Sequence, residues 1–162
     1  MRQLVLLRHA KALADSETGE DIDRPLAPRG REDAPIVGKA LAEAGADPII
    51  VLVSNARRTR ETWELVSPSF PNAEVRFRSD LYLCPAETIE EEADLAGAER
   101  IMVVAHNPGM HELAARWAHR NNELETRVRA KFPTCAGAIY EKKDDSSSWK
   151  LQGFVTPKMI SD

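Results

Sequence analysis

The sequence predicts an α/β fold of three layers, with helices on both faces of a mostly parallel sheet. Two observations carry that expectation. Three short runs contain only apolar residues: 4–7 (Leu-Val-Leu-Leu), 49–53 (Ile-Ile-Val-Leu-Val) and 101–105 (Ile-Met-Val-Val-Ala). Runs of this kind mark strands buried on both faces. Between them lie segments whose apolar residues recur at helical spacing, the alternation that produces parallel strands joined by crossover helices. No repeat, low-complexity block or linker interrupts the 162 residues. The expectation is therefore one domain over 1–162, long enough to bury about two thirds of its unfolded surface.

The elements follow in order. The first strand, 4–7, stops abruptly at Arg8 and His9. Residues 13–23 are polar and acidic and read as a loop. In the run 23–30, Asp-Arg-Pro-Leu-Ala-Pro-Arg-Gly, two prolines fix the approach to a helix that Pro28 can open as a first-turn residue. Ala34, Val37, Leu41 and Ala42 line one face of that helix, which ends near Gly45. Ala27 stands at its capping position and has no side-chain oxygen to offer.

The second strand, 49–53, gives way to Ser54-Asn55 just as the first gives way to Arg8-His9. A second helix, 56–66, carries Arg57, Arg58 and Arg60 in its first turns. Cations there oppose the helix dipole, an arrangement that suits an anion at that end. Residues 74–77 read as a short strand. A third helix spans 86–96, with Glu90-Glu91-Glu92 as a solvated face. The third apolar strand ends at His106-Asn107-Pro108-Gly109, followed by a fourth helix over 110–120 and a charged surface helix within 121–131. Residues 134–141 and 149–155, joined by a polar turn, read as an antiparallel hairpin closing one edge of the sheet.

Composition narrows the function classes. Apolar residues make up 43% and charged residues 30% of the chain, ordinary values for a globular protein. A net charge of −4 with no basic motif argues against nucleic acid as a partner. The run 4–7 is too short for a signal-peptide core, and no later apolar run reaches the length of a membrane span. A cytoplasmic protein with no membrane partner is expected. Cys84 and Cys135 lie far apart without CxxC spacing and read as free thiols. His111 and His119 match no zinc spacing and read as surface or packing residues, and Trp63, Trp117 and Trp149 as core or core-edge aromatics. No metal or cofactor is called for.

The chemistry gathers where the three apolar strands end. In a parallel sheet the carboxyl ends share one edge, where ligands bind. Arg8-His9, Ser54 leading to Arg58, and His106-Asn107 would therefore meet in one crevice. Guanidinium forks match phosphate oxygens. A neutral imidazole is a competent nucleophile towards phosphorus.

These residues resemble the histidine phosphatase superfamily, and within it the small SixA-type phosphohistidine phosphatases. The resemblance rests on Arg8-His9-Ala10-Lys11-Ala12, Asp23 through Leu26 with Gly30, and Ser54 followed by Arg58 and Thr62. It extends through Leu81-Tyr82 and His106-Asn107-Pro108-Gly109 to Phe132-Pro133-Thr134. It implies a phosphoglycerate mutase-like fold and a metal-independent phosphatase whose nucleophile is His9. It further implies that Arg8, Arg58 and His106 hold the phosphoryl oxygens, with Arg24 as an auxiliary contact. Arg58 is preferred to Arg57 because it follows Ser54 by the family's four residues.

Larger superfamily members supply a glutamate as general acid. Here Glu87 reads as first-turn helix decoration, and Asp23 either serves as the acid or bonds loop amides or Arg24. A phosphohistidine leaving group needs less acid assistance than a sugar alkoxide. The expected substrate is thus phosphohistidine in a signalling protein, such as a phosphotransfer domain. A small phosphate ester of the sugar phosphate type, or a catalytically inactive module that binds phosphorylated partners, are the alternatives.

Overall fold

The structure, a computed structural model, describes residues 1–161. Six strands, β1 (Arg2–Arg8), β2 (Ile50–Ser54), β3 (Glu74–Arg78), β4 (Arg100–Ala105), β5 (Gly137–Lys142) and β6 (Lys150–Val155), form one sheet in the order β3-β2-β4-β1-β5-β6. The first four are parallel, β5 runs antiparallel to β1, and β6 antiparallel to β5. The helices are α1 (Pro28–Glu43), α2 (Arg57–Val66), α3 (Ala86–Leu95), α4 (Gly109–Arg116), α5 (Glu123–Ala130) and α6 (Pro157–Ser161). This is the three-layer α/β architecture that the apolar runs predict.

Alternation along the central strands divides the core in two. Leu4, Leu6, Ile101 and Val103 face a cluster that includes Ile89 of α3, Met110 and Leu113 of α4, and Val128 of α5. Val5, Leu7, Val51, Val53, Met102 and Val104 face Ala34, Val37 and Leu41 of α1 and Trp63 and Val66 of α2. Val5, Leu6, Leu7, Val51, Val53, Val103 and Val104 are completely buried. Each such side chain contributes about 1.5–3 kcal/mol, so the three central strands form a rigid floor. Pairing of Arg8 with Ala105 and of Val53 with Val104 brings the carboxyl ends of β1, β4 and β2 level.

The antiparallel hairpin β5–β6 closes one edge of the sheet as expected, with β5 against β1 and β6 outermost. Three local expectations are corrected. Helix α4 stops at Arg116 rather than near 120. Its would-be last turn is claimed by α5: Glu125 accepts the Arg120 N–H at 3.1 Å, and the Arg129 guanidinium donates to the Ala118 and Arg120 carbonyls. Glu92 is not part of a solvated face, since its side chain is 12% exposed and lies 3.0 Å from Arg78. Helix α6 follows β6 unforeseen. Thr156-Pro157 is its start signal, with the Thr156 hydroxyl accepting the Met159 N–H at 3.2 Å.

Elsewhere the local readings match. Ala27 caps α1 with no side-chain bond. Gly30 is required by close approach, because a Cβ there would collide with the Lys11 carbonyl. Both cysteines are free and buried. No described helix is long and apolar enough to cross a membrane.

Candidate active site

His9 follows β1 directly, and its backbone is held from both sides. Its N–H donates to the Ala105 carbonyl at 3.2 Å, and its carbonyl accepts the Cys135 N–H at 2.8 Å. The ring is 6% exposed, with Nδ1 2.7 Å from the Ala10 carbonyl. A carbonyl only accepts, so the proton sits on Nδ1 and the lone pair on Nε2. Burial, reinforced by Arg8, Arg58 and Arg24, pushes the ring pKa down to about 3. His9 is therefore an unprotonated imidazole of fixed tautomer at neutral pH.

His106 follows β4, the neighbouring strand, and its ring centroid lies 5.4 Å from that of His9. It is 2% exposed, and its pKa is lowered to about 3, first by burial and then by His9 and Arg58. Its Nε2 lies 2.8 Å from the Ser54 hydroxyl at the end of β2. That hydroxyl also accepts the Ala56 N–H at 3.4 Å. His106 Nδ1 is buried and has no partner.

Helix α2 supplies Arg58, 3% exposed, whose Nη1 donates to the Asp21 carbonyl at 2.8 Å and whose Nη2 donates to its carboxylate at 3.0 Å. One hydroxyl ties this helix to the strand end. Thr62 donates to the Arg58 carbonyl at 2.7 Å and accepts the Ala10 N–H at 2.9 Å. Arg57, by contrast, points outward and pairs with Glu61 at 3.1 Å. Arg8 donates to the Phe132 carbonyl at 3.2 Å, and burial together with Arg58 lowers its pKa. Arg24 Nε lies 3.4 Å from Asp21 Oδ1.

Asp21 and Tyr82 were not foreseen as part of this cluster. The Tyr82 hydroxyl donates to the Asp21 carboxylate, and its ring stands edge-on to His106 at 5.5 Å. That hydrogen bond first, and Arg58 with it, hold the Asp21 carboxyl below its ordinary pKa. Asp23 lies elsewhere in its interactions: it accepts the Thr18 hydroxyl at 2.6 Å and makes no pair with Arg24. Glu87 is exposed and bound to Arg116 at 3.0 Å. No signal in the aperiodic loop 13–27 distinguishes Asp21 from its acidic neighbours.

Four buried nitrogens of this cluster make no hydrogen bond: Nε of Arg8, Nε of Arg58, Nδ1 of His106, and Nε of Arg24, which keeps only its 3.4 Å ion-pair contact with Asp21. An unmatched buried donor costs about 1–3 kcal/mol, so their gathering beside a lone-pair nitrogen suits a ligand rich in acceptor oxygens. Among the described residues no three His, Cys, Asp or Glu side chains group as metal ligands.

The sequence model of the histidine phosphatase superfamily (branch 1) matches residues 4–82. An uncharacterised chloroplastic protein of Arabidopsis thaliana is 31% identical over 96% of this chain and 78% of its own length. An uncharacterised Mycobacterium tuberculosis protein is 33% identical over 82% of this chain and 85% of its own. The structure superposes on an Agrobacterium tumefaciens protein assigned as the phosphohistidine phosphatase SixA, with TM-score 0.83 and 27% identity over 96% of this chain and 98% of that one. It shares its fold with a mycobacterial glucosyl-3-phosphoglycerate phosphatase at TM-score 0.64 and 16% identity, over 94% and 98% of the two chains. Family match, near-full-length relatives and architecture agree: the chain belongs to the histidine phosphatase superfamily.

Proposed function

We propose that this protein is a phosphatase that removes a phosphoryl group from phosphohistidine through a covalent phosphohistidine on His9. The observation that carries the mechanism is the fixed, neutral His9 ring beside four buried nitrogens that make no hydrogen bond. His9 Nε2 attacks phosphorus in line, and the leaving imidazole departs with the P–N electron pair and takes a proton from solvent. Water then attacks the phosphoryl group on His9, releasing phosphate and restoring the free ring. Arg8, Arg58 and His106 hold the equatorial oxygens, where charge builds in the transition state, with Arg24 assisting.

The state of the nearby carboxylate supports the substrate class. Asp21 is held ionised by Tyr82 and Arg58 and is a poor proton donor at neutral pH. A sugar alkoxide demands such a donor far more than an imidazole does. The likeness to the Agrobacterium SixA protein favours the same reading. A phosphotransfer domain of a signalling protein is the corresponding partner.

The test is hydrolysis of phosphoramidate and a phosphohistidine peptide beside a panel of sugar phosphates, with and without chelator, for wild type and His9→Ala. Chelator-resistant turnover of the P–N substrates that vanishes in His9→Ala is expected. Turnover confined to sugar phosphates would keep the nucleophile and reassign the substrate to a small phosphate ester. No turnover of either would leave a module that only binds phosphorylated partners.

A further inference from the structure

A groove of about 580 Å³ opens where the segment after His9 meets the segment after Phe132. Five cations line it, Lys11, Arg29, Arg127, Lys131 and Lys158, against one carboxylate, Asp33. Arg29 is 3.6 Å from Asp33 and Arg127 is 2.8 Å from Glu123. Among the described residues, Lys11 and Lys131 pair with no carboxylate, and both are exposed. The floor is apolar, with Phe154 and Met159. In a chain of net charge −4 this is a local reversal of sign.

The groove also adjoins the candidate site. Lys11 is two residues beyond His9, and Lys131 directly precedes Phe132, whose carbonyl is held by Arg8 and Asn107. Cys135 bonds the His9 carbonyl, so the chain around 131–135 forms the wall between them.

We propose that this groove docks an acidic polypeptide segment bearing an apolar side chain, part of the phosphorylated substrate protein that reaches His9. The identity of the occupant rests on the phosphohistidine reading above, whereas the groove's preference for acidic chain does not. Complementary charge raises association and fixes register, and an apolar floor gives the segment somewhere to bury a side chain.

Two fluorescein-labelled synthetic peptides of equal length test it. One has Asp and Glu around a central Leu; the other has Asn and Gln in their places. Fluorescence anisotropy at low ionic strength is expected to show the acidic peptide binding about tenfold more tightly. That preference is lost in the double variant Lys11→Glu with Lys131→Glu, is intermediate in the double alanine variant, and shrinks as salt is added. Phosphoramidate turnover stays within about twofold in both variants, since removing rim charges alters encounter rather than chemistry. Equal binding of the two peptides, or a preference that survives charge reversal, would overturn the proposal. Binding to phosphatidylglycerol vesicles without peptide preference would overturn it in favour of a membrane surface. If the acidic peptide binds but no P–N substrate is hydrolysed, the groove stands and the phosphatase reading falls.

Discussion

Strand β1 buries polar groups near both of its ends, and the two ends are finished differently. At the amino end Gln3, 5% exposed, donates to the Gly45 carbonyl at 2.9 Å and accepts the Asp47 N–H at 2.8 Å. Buried polar groups away from the sheet's carboxyl edge follow the same rule. Glu125, 3% exposed, accepts from Arg120 N and Asn122 Nδ2, and the Tyr140 hydroxyl donates to the Ala114 carbonyl at 2.7 Å. At the carboxyl end Arg8, Arg24, Arg58 and His106 each keep one buried nitrogen without a hydrogen bond near His9, although Arg58 bonds Asp21 through both Nη atoms. On the phosphatase reading, the contrast separates groups that hold the structure from nitrogens left for a ligand.

The largest expected effects break this contrast at its functional end. Arg58→Met is expected to lower kcat/KM for phosphoramidate by roughly 10³-fold, the scale of one lost oxyanion-type contact. Its melting temperature should hardly move, because the lost pair is with half-exposed Asp21. Steady-state kinetics beside thermal unfolding check both statements. Arg57→Ala is the control, expected to stay within about twofold because a surface ion pair contributes little. The reverse pattern would put the register of α2 one residue off.

Acid stability comes next. His9 and His106 titrate near 3 in the fold but at 6.5 when free, so between those values the unfolded chain binds more protons. The rings' contribution to stability therefore falls as pH drops below 6.5, by up to about 1.4 kcal/mol per pH unit for each ring, and that contribution levels off below about pH 3. Denaturant titrations across that range should show the slope, and a variant with both rings replaced by Asn should flatten it. The same depression keeps His9 unprotonated, so His9 itself adds no acid limb near pH 6.5 to the turnover of a P–N substrate.

Smaller effects sharpen the comparison. Ser54→Ala removes the hydroxyl bonded to His106 Nε2, and kcat is expected to fall roughly tenfold, the cost of one buried partner. Gln3→Ala is expected to reduce stability by about 1–3 kcal/mol with kcat/KM unchanged, since it removes two hydrogen bonds, to Gly45 and Asp47, at the other end of β1 from His9. Urea unfolding and steady-state assays on the two variants should give opposite patterns.

Much of this was legible from local sequence. The all-apolar runs revealed β1, β2 and β4 because strands buried on both faces tolerate nothing else. Their abrupt stops pointed to Arg8, His9 and His106, and only the family resemblance, through its spacing from Ser54, separated Arg58 from Arg57. Asp21 was opaque, because a loop without periodicity does not encode which carboxylate reaches which guanidinium, and although the resemblance includes Leu81-Tyr82, the bond from Tyr82 to Asp21 is made across space. The early end of α4 was equally hidden, since Arg129 and Glu125 claim its last turn across space rather than along the chain. Thr156-Pro157, by contrast, is a start signal for α6 written along the chain itself.

The most direct measurement is rapid-quench trapping of the phosphoenzyme from phosphoramidate, followed by peptide mapping. A nucleophilic His9 predicts one phosphoryl group, stable in base and labile in acid, on the peptide containing His9, and none in His9→Ala. A phosphoryl group on another residue, or turnover with no trapped adduct where formation outpaces hydrolysis, would contradict it.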